Sequence, residues 1–325
     1  MLPLLRPVEM DQHPMMQQTY ILPTVSIDEA YTQVKRCIRH RIPGALLVGQ
    51  SRFGKTYCAR YISRLLKDDF PKLVVLTVGS EKKKAPVESA FFENLLQAAE
   101  HKELKHGSNS EKRRRLIERL IELVTRSRQN LLVLFYDEAQ RLFVEEYEWL
   151  RDVHDQLERR GIRMITFLIG QQKLLNQKNA LRMQGETQII GRFMIDELPF
   201  HGVRTADEAA TCLNAYDEAC YPLDSDWNYT RFFMPMAFES GFRLVDQAAS
   251  VWAAFLAAHA AAGFRFAIDI PMQYFSRTVE IAMTDHSDRD AAGFTLTPAI
   301  WEQAVLDARY VAAVEELRLN PELDD

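Results

Sequence analysis

One stretch of eight residues restricts this chain more than any other. Gly49-Gln50-Ser51-Arg52-Phe53-Gly54-Lys55-Thr56 fills every fixed position of the pattern GxxxxGK[ST]. It follows Gly44-Ala45-Leu46-Leu47-Val48, an apolar run suited to a buried strand, and precedes residues 57–67, where Ala59, Ile62, Leu65 and Leu66 recur at helical spacing. A strand, a glycine loop and a helix in that order turn backbone N–H groups inward around phosphates. The glycines fall where a Cβ would block the approach, and the helix N-terminus adds a favourable dipole. Lys55 is placed to reach the β- and γ-phosphates of ATP, and Thr56 to offer its hydroxyl to Mg2+, a cation that prefers oxygen ligands.

A second apolar run, Leu131 to Tyr136, delivers Asp137 and Glu138 at its carboxyl end, where open α/β sheets bind ligands. Asp137 is expected to hold Mg2+, and Glu138 to orient and polarise the attacking water. The pair indicates hydrolysis and not transfer to a second substrate.

The remaining pattern alternates strand and helix as far as Pro199. Ser26 is expected to cap a helix over Ile27 to His40. Strands are expected at Gly44 to Val48, Lys72 to Gly79, Leu131 to Asp137, Ile162 to Gly170 and Phe193 to Leu198, with helices at Pro86 to Glu100, Ser110 to Arg128 and Glu145 to Arg160 between them. This gives an α/β fold with a five-stranded parallel sheet and helices on both faces. Beyond Pro199 only helical patterns occur, at Thr205 to Cys220, Arg243 to Ala262, Met272 to Thr284 and Pro298 to Glu316. The expected organisation is an arm over 1–25, a nucleotide-binding core over 26–200 and a helical lid with further helices over 201–325.

Four cysteines form no CxxC pair, and eight histidines show no metal-ligand spacing, so reduced thiols and no zinc are expected. No apolar run approaches membrane length, which points to a cytoplasmic protein without a membrane partner. The net charge of −5 hides an asymmetry. From Arg60 to Arg128 there are sixteen Lys/Arg against ten Asp/Glu, and from Asp196 to Ser250 three against ten. A polyanion would meet one face.

The five-stranded core, the helical lid, the loop at 49–56 and the box Asp137-Glu138-Ala139-Gln140 together resemble the AAA+ ATPases, P-loop NTPases with a helical lid. Within them the chain looks most like the TnsC/TniB regulators of DNA transposition, over residues 20–265. That resemblance implies a polar sensor at the end of the fourth strand, at Gln171 or Gln172. It implies an arginine finger acting on a neighbouring subunit, at Arg192 in Gly191-Arg192-Phe193 or at Arg182, and a second sensor at Arg243. A finger acting in trans implies ATP-dependent assembly into a ring or helical homo-oligomer. The family's assemblies wrap duplex DNA, which places Lys82, Lys83 and Lys84, and Arg113, Arg114 and Arg115, as phosphate contacts. The expected function is an ATP-dependent regulator that links a target selector to a transposase. The arm before Tyr20 and the acidic tail from Glu315 to Asp325 stand as handles for those partners.

Two other classes compete. A non-DNA AAA+ ATPase that remodels protein partners, of the secretion-associated type, would carry the same DEAQ box. A helicase is disfavoured because no second RecA-like domain is readable after Asp137, and a GTPase because no NKxD motif occurs.

Overall fold

The computed structural model describes residues 6–319. They form two compact units. One is an α/β unit of Glu29–Gln50 and Lys55–Phe200; the other is helical and gathers the residues up to Asp28, Ser51–Gly54 and those from His201 onward.

In chain order the first elements are α1 (Val25–His40), β1 (Gly44–Val48), α2 (Lys55–Asp69), β2 (Val74–Gly79), α3 (Glu88–Ala98), α4 (Asn109–Ser127) and β3 (Leu131–Asp137). They are followed by α5 (Val144–Glu158), β4 (Arg163–Gly170), α6 (Lys173–Met183), α7 (Thr187–Phe193) and β5 (Asp196–Pro199). All strand pairs are parallel, in the order β2-β3-β4-β1-β5. Every residue of β1 and β3 is buried, as expected of strands covered on both faces. The five-stranded parallel sheet expected from the sequence is therefore present.

Local boundaries differ from expectation in instructive ways. Phe193 does not open the fifth strand; it closes α7, and β5 begins only at Asp196. Phe193 and Met194 are fully buried, so an apolar run that reads as a strand is instead a helix end driven into the core. The backbone there lies so close to β1 that a Cβ on Gly44 would collide with the carbonyl oxygen of Arg192. Ser26 is not the cap of α1. Thr24 Oγ1 accepts the Ile27 N–H at 3.2 Å, whereas Ser26 lies inside the helix and exchanges hydrogen bonds with His201. At α4 the cap is Ser108, paired with Glu111 in a reciprocal capping box.

The helical unit contains α8 (Ala206–Glu218), α9 (Tyr229–Phe233), α10 (Pro235–Glu239), α11 (Ala248–Ala261), α12 (Met272–Thr284), α13 (Pro298–Asp307) and α14 (Tyr310–Leu319). The single helix expected from Pro298 to Glu316 is broken at Arg309, which has φ of 59°. α11 starts at Ala248 after a 3-10 turn, not at Arg243. The residues before α1 pack into this unit. His13 is fully buried among Tyr221, Tyr229, Phe232 and Phe233, and Met15 and Leu22 join the core. The Tyr20 hydroxyl donates to Glu280 Oε1 at 2.6 Å. Among the described residues no helix is long and apolar enough to cross a membrane. The tail expected at Glu315 to Asp325 lies largely outside the described residues.

Candidate nucleotide site

The parallel register brings the carboxyl ends of β1, β3 and β4 to one edge, and the loop at 49–56, Asp137, Glu138 and Gln171 follow those ends. The loop 49–54 leaves β1 and enters α2. Gly49 must be glycine, because a Cβ would collide with the Phe200 carbonyl oxygen; Gly54 has φ of 96°, a region closed to most side chains. Lys55 is buried, and its Nζ donates to the carbonyls of Gly49 at 2.8 Å and Gln50 at 2.6 Å. The ammonium thus sits against the loop that the sequence assigns to phosphates.

Thr56 Oγ1 donates to Asp137 Oδ2 at 2.6 Å, across eighty-one residues of sequence. A hydroxyl and a carboxylate at that separation are two hard oxygen donors on one point, the donor set that Mg2+ takes together with waters. The residues present therefore fit the cation, and Lys55 with the loop N–H groups fits a triphosphate.

Glu138 follows Asp137 in a left-handed conformation with φ of 54°, which turns its side chain out of the strand. Its Oε2 accepts from Gln140 Nε2 at 3.0 Å and pairs with Arg141 at 3.1 Å. Gln140 Oε1 in turn accepts the Gln171 N–H at 3.3 Å. Thr56, Asp137, Glu138, Gln140 and Gln171 are thereby joined end to end. Of the two sensor candidates, Gln171 is buried at the end of β4, while Gln172 is exposed at the start of α6. The linking roles of Gln140 and Arg141 were missed by sequence reasoning; the fourth letter of the Asp-Glu-Ala-Gln box was the available signal. Arg141 also donates to the Ser80 carbonyl at 3.2 Å, at the exit of β2.

Of the arginines assigned to catalysis, Arg192 and Arg243 are each held by partners within their own unit. Arg192 on α7 pairs with Asp155 at 2.8 Å and Glu158 at 3.5 Å on α5 of its own chain. Arg182 is exposed and has no ion pair among the described residues. Arg243 donates to the carbonyls of Phe238 at 2.9 Å and Phe242 at 2.7 Å, and its guanidinium lies 3.6 Å from the centre of the Phe238 ring. It ties off α10 and does not open a lid helix. The loop tip, Ser51–Gly54, belongs to the helical unit, where the Gln273 N–H at the start of α12 donates to the Arg52 carbonyl at 3.2 Å. A small pocket in that unit, lined by Thr24, Ser26, Phe53, His201, Cys212 and Met272, had no counterpart in the sequence reading.

The basic run is used unevenly. Lys83 pairs with Glu146, which is 1% exposed, whereas Lys82 and Lys84 project into solvent. Arg113 bridges Glu88 at 2.6 Å and Asp152 at 2.9 Å; Arg115 donates to the carbonyls of Glu103 and His106. Only Arg114 of that triplet stands out, 72% exposed with a loose contact to Glu118. A phosphate contact by all six residues would break internal ion pairs; Lys82 and Lys84 have none among the described residues, and Arg114 has only its exposed pair with Glu118.

Residues 43–177 match the family model of the AAA domain. The fold is an AAA+ fold. The Aeropyrum pernix ORC2 protein, in a structure of its ADPNP-ADP complexes, superimposes with a TM-score of 0.55 at 13% identity, covering 91% of this chain and 71% of that one. The Aeropyrum pernix ORC1 protein in complex with DNA superimposes with a TM-score of 0.53 at 15% identity, covering 94% of this chain and 69% of that one. At such identities the likeness is one of fold. Among curated proteins none matches the chain in sequence. Thr56 and Asp137, joined by their hydrogen bond, lie at the carboxyl edge of this sheet.

Proposed function

We propose that the chain is a Mg2+-dependent ATPase that assembles on duplex DNA as a regulator of transposition, of the TnsC/TniB kind. The observation that carries the ATPase reading is the 2.6 Å contact between Thr56 and Asp137 with Glu138 next in the chain. Lys55 and the 49–54 loop bind the triphosphate, Thr56 and Asp137 hold the cation, and Glu138 accepts the proton of the attacking water. Bound Mg2+ supplies charge neutralisation on the phosphate oxygens. Gln171 orients the γ-phosphate from the end of β4. Residues 26–200 act as the nucleotide-binding core and residues 201–325 as the lid, in which Arg243 reports on the nucleotide.

Support for DNA comes from charge and from fold. Lys82, Lys84 and Arg114 offer exposed cations on the basic half, and the ORC1 protein of the same fold is found in complex with DNA. Arg192 acts in trans, with Arg182 the second candidate, so ATP drives a ring or helical homo-oligomer that presents a transposase and a target selector to each other in the cytoplasm. Loss of the γ-phosphate removes the inter-subunit arginine contact and dismantles the assembly.

Negative-stain electron microscopy with duplex DNA, with and without a non-hydrolysable ATP analogue, tests this reading. Rings or filaments on DNA only with nucleotide are expected. Monomers under all conditions would refute assembly; nucleotide-dependent rings that ignore DNA would favour an ATPase that remodels protein partners.

A further inference from the structure

The α/β unit carries a second basic surface, at the opposite pole from the phosphate loop. Because all five strands are parallel, their starting ends share one edge, and in sheet order Lys72 precedes β2, Arg128 precedes β3, Arg159 and Arg160 precede β4, and Arg39 and Arg41 precede β1. All six are exposed. At about 4.8 Å between strands, four neighbouring strands spread these cations over about 14 Å. Arg126 and Arg163 lie at the same edge but are paired with Glu122 and Glu158. Arg41 contacts Asn130 Oδ1 at 3.3 Å, and Lys72, Arg128, Arg159 and Arg160 have no ion pair among the described residues.

The backbone provides an independent argument. Three helices turn into strands at this pole through the same reversal, in which an N–H returns to the carbonyl five residues earlier: Ile42 to Cys37, Gln129 to Val124 and Ile162 to Leu157. The residue before each donor is left-handed. At the α5–β4 turn it is Gly161, the residue that adopts this conformation without steric cost. At the other two turns it is Arg41, with φ of 53°, and Arg128, with φ of 54°. The fold would accept glycine at both, so two strained arginines point to a use for their side chains.

We propose that this pole is a second contact for a nucleic acid backbone, engaging phosphates of a duplex segment separate from the one at Lys82 and Lys84. The inference rests on the duplex-binding reading above. Five of its six cations are arginines, whose planar forks pair with phosphate oxygens bidentately.

The test is fluorescence anisotropy of a short labelled duplex titrated with the full chain at several salt concentrations, alongside thermal melting and ATP binding. Arg41→Gly with Arg128→Gly is expected to melt at or above the wild-type temperature, since glycine relieves both turns. The same variant should bind duplex several-fold more weakly, with the slope of log affinity against log salt reduced by about two. Arg159→Glu with Arg160→Glu, on exposed positions, should weaken binding in the same way. Wild-type affinity and slope in both variants would overturn the inference. If Lys82→Glu with Lys84→Glu loses binding while both pole variants keep it, the second contact fails and the first stands; a wild-type chain that binds no duplex refutes both. Pole variants that keep duplex but release labelled polyglutamate would assign the surface to an acidic protein segment and overturn the proposal.

Discussion

Replacing Glu138 by glutamine separates chemistry from architecture. The glutamine keeps the shape and hydrogen-bonding capacity of the side chain but cannot take a proton from water. A general base contributes about 10² to 10⁴ in rate, so ATP hydrolysis should fall by that factor. The structural cost is small. The Glu138–Arg141 pair is 3.1 Å long with side chains 29% and 31% exposed, and partly solvated pairs of this kind are worth under about 1 kcal/mol. For a unit of this size the melting temperature should therefore drop by less than about 4 °C. Phosphate release measured beside fluorescent-ATP binding gives both numbers on one preparation. Hydrolysis within about threefold of wild type, with intact folding, would refute the assignment of Glu138 as the base.

Further outcomes follow from the same geometry. Lys55→Ala should weaken ATP binding by roughly 10²-fold, read by nucleotide titration, because the buried ammonium lies against the loop at Gly49 and Gln50. Arg192→Ala should bind ATP normally but hydrolyse it about 10³-fold more slowly, and mixing it with Lys55→Ala should restore activity, each chain supplying what the other lacks; no rescue would exclude a role in trans. Arg113→Ala should lower stability by about 1–2 kcal/mol through loss of Glu88, Asp152 and the Phe92 ring, whereas Lys82→Glu with Lys84→Glu should leave melting unchanged and weaken duplex binding. Burial lowers His13 to about 4 and His154 to about 3, so each is held neutral when folded. The unfolded chain binds their protons first, and stability should fall as pH drops below about 6.5 and stop falling on their account near the folded values. Thermal melting from pH 7 to pH 4 reads this, and His13→Phe should flatten part of the slope.

What could be read from sequence was what is local. The loop 49–56 and the pair Asp137-Glu138 are contiguous, and β1 and β3 are runs buried on both faces, so residue order alone carries their signal. Phe193 and Met194 were misread because a buried helix end and a buried strand are equally apolar over four residues. Thr24 and Ser26 are both good cap residues, and the choice between them is made by His201, 175 positions away from Ser26. α9 and α10 span five residues each, too short for a helical period to show. The basic triplet Arg113-Arg114-Arg115 illustrates the same limit. Charge is visible in sequence, but whether a guanidinium faces Asp152 or solvent is settled by packing.

The burial of His13 among Tyr221, Tyr229, Phe232 and Phe233 has a consequence for the order in which the chain is made. His13 leaves the ribosome before its aromatic surround, which follows more than two hundred residues later. At about 5–20 residues per second the interval is roughly 10–40 s. During it the α/β unit can be completed, while Met15 and Leu22 have no core to enter. A segment synthesised before the α/β unit thus finds its place only after it, and until α9 emerges its apolar side chains are available to chaperones or to other nascent chains.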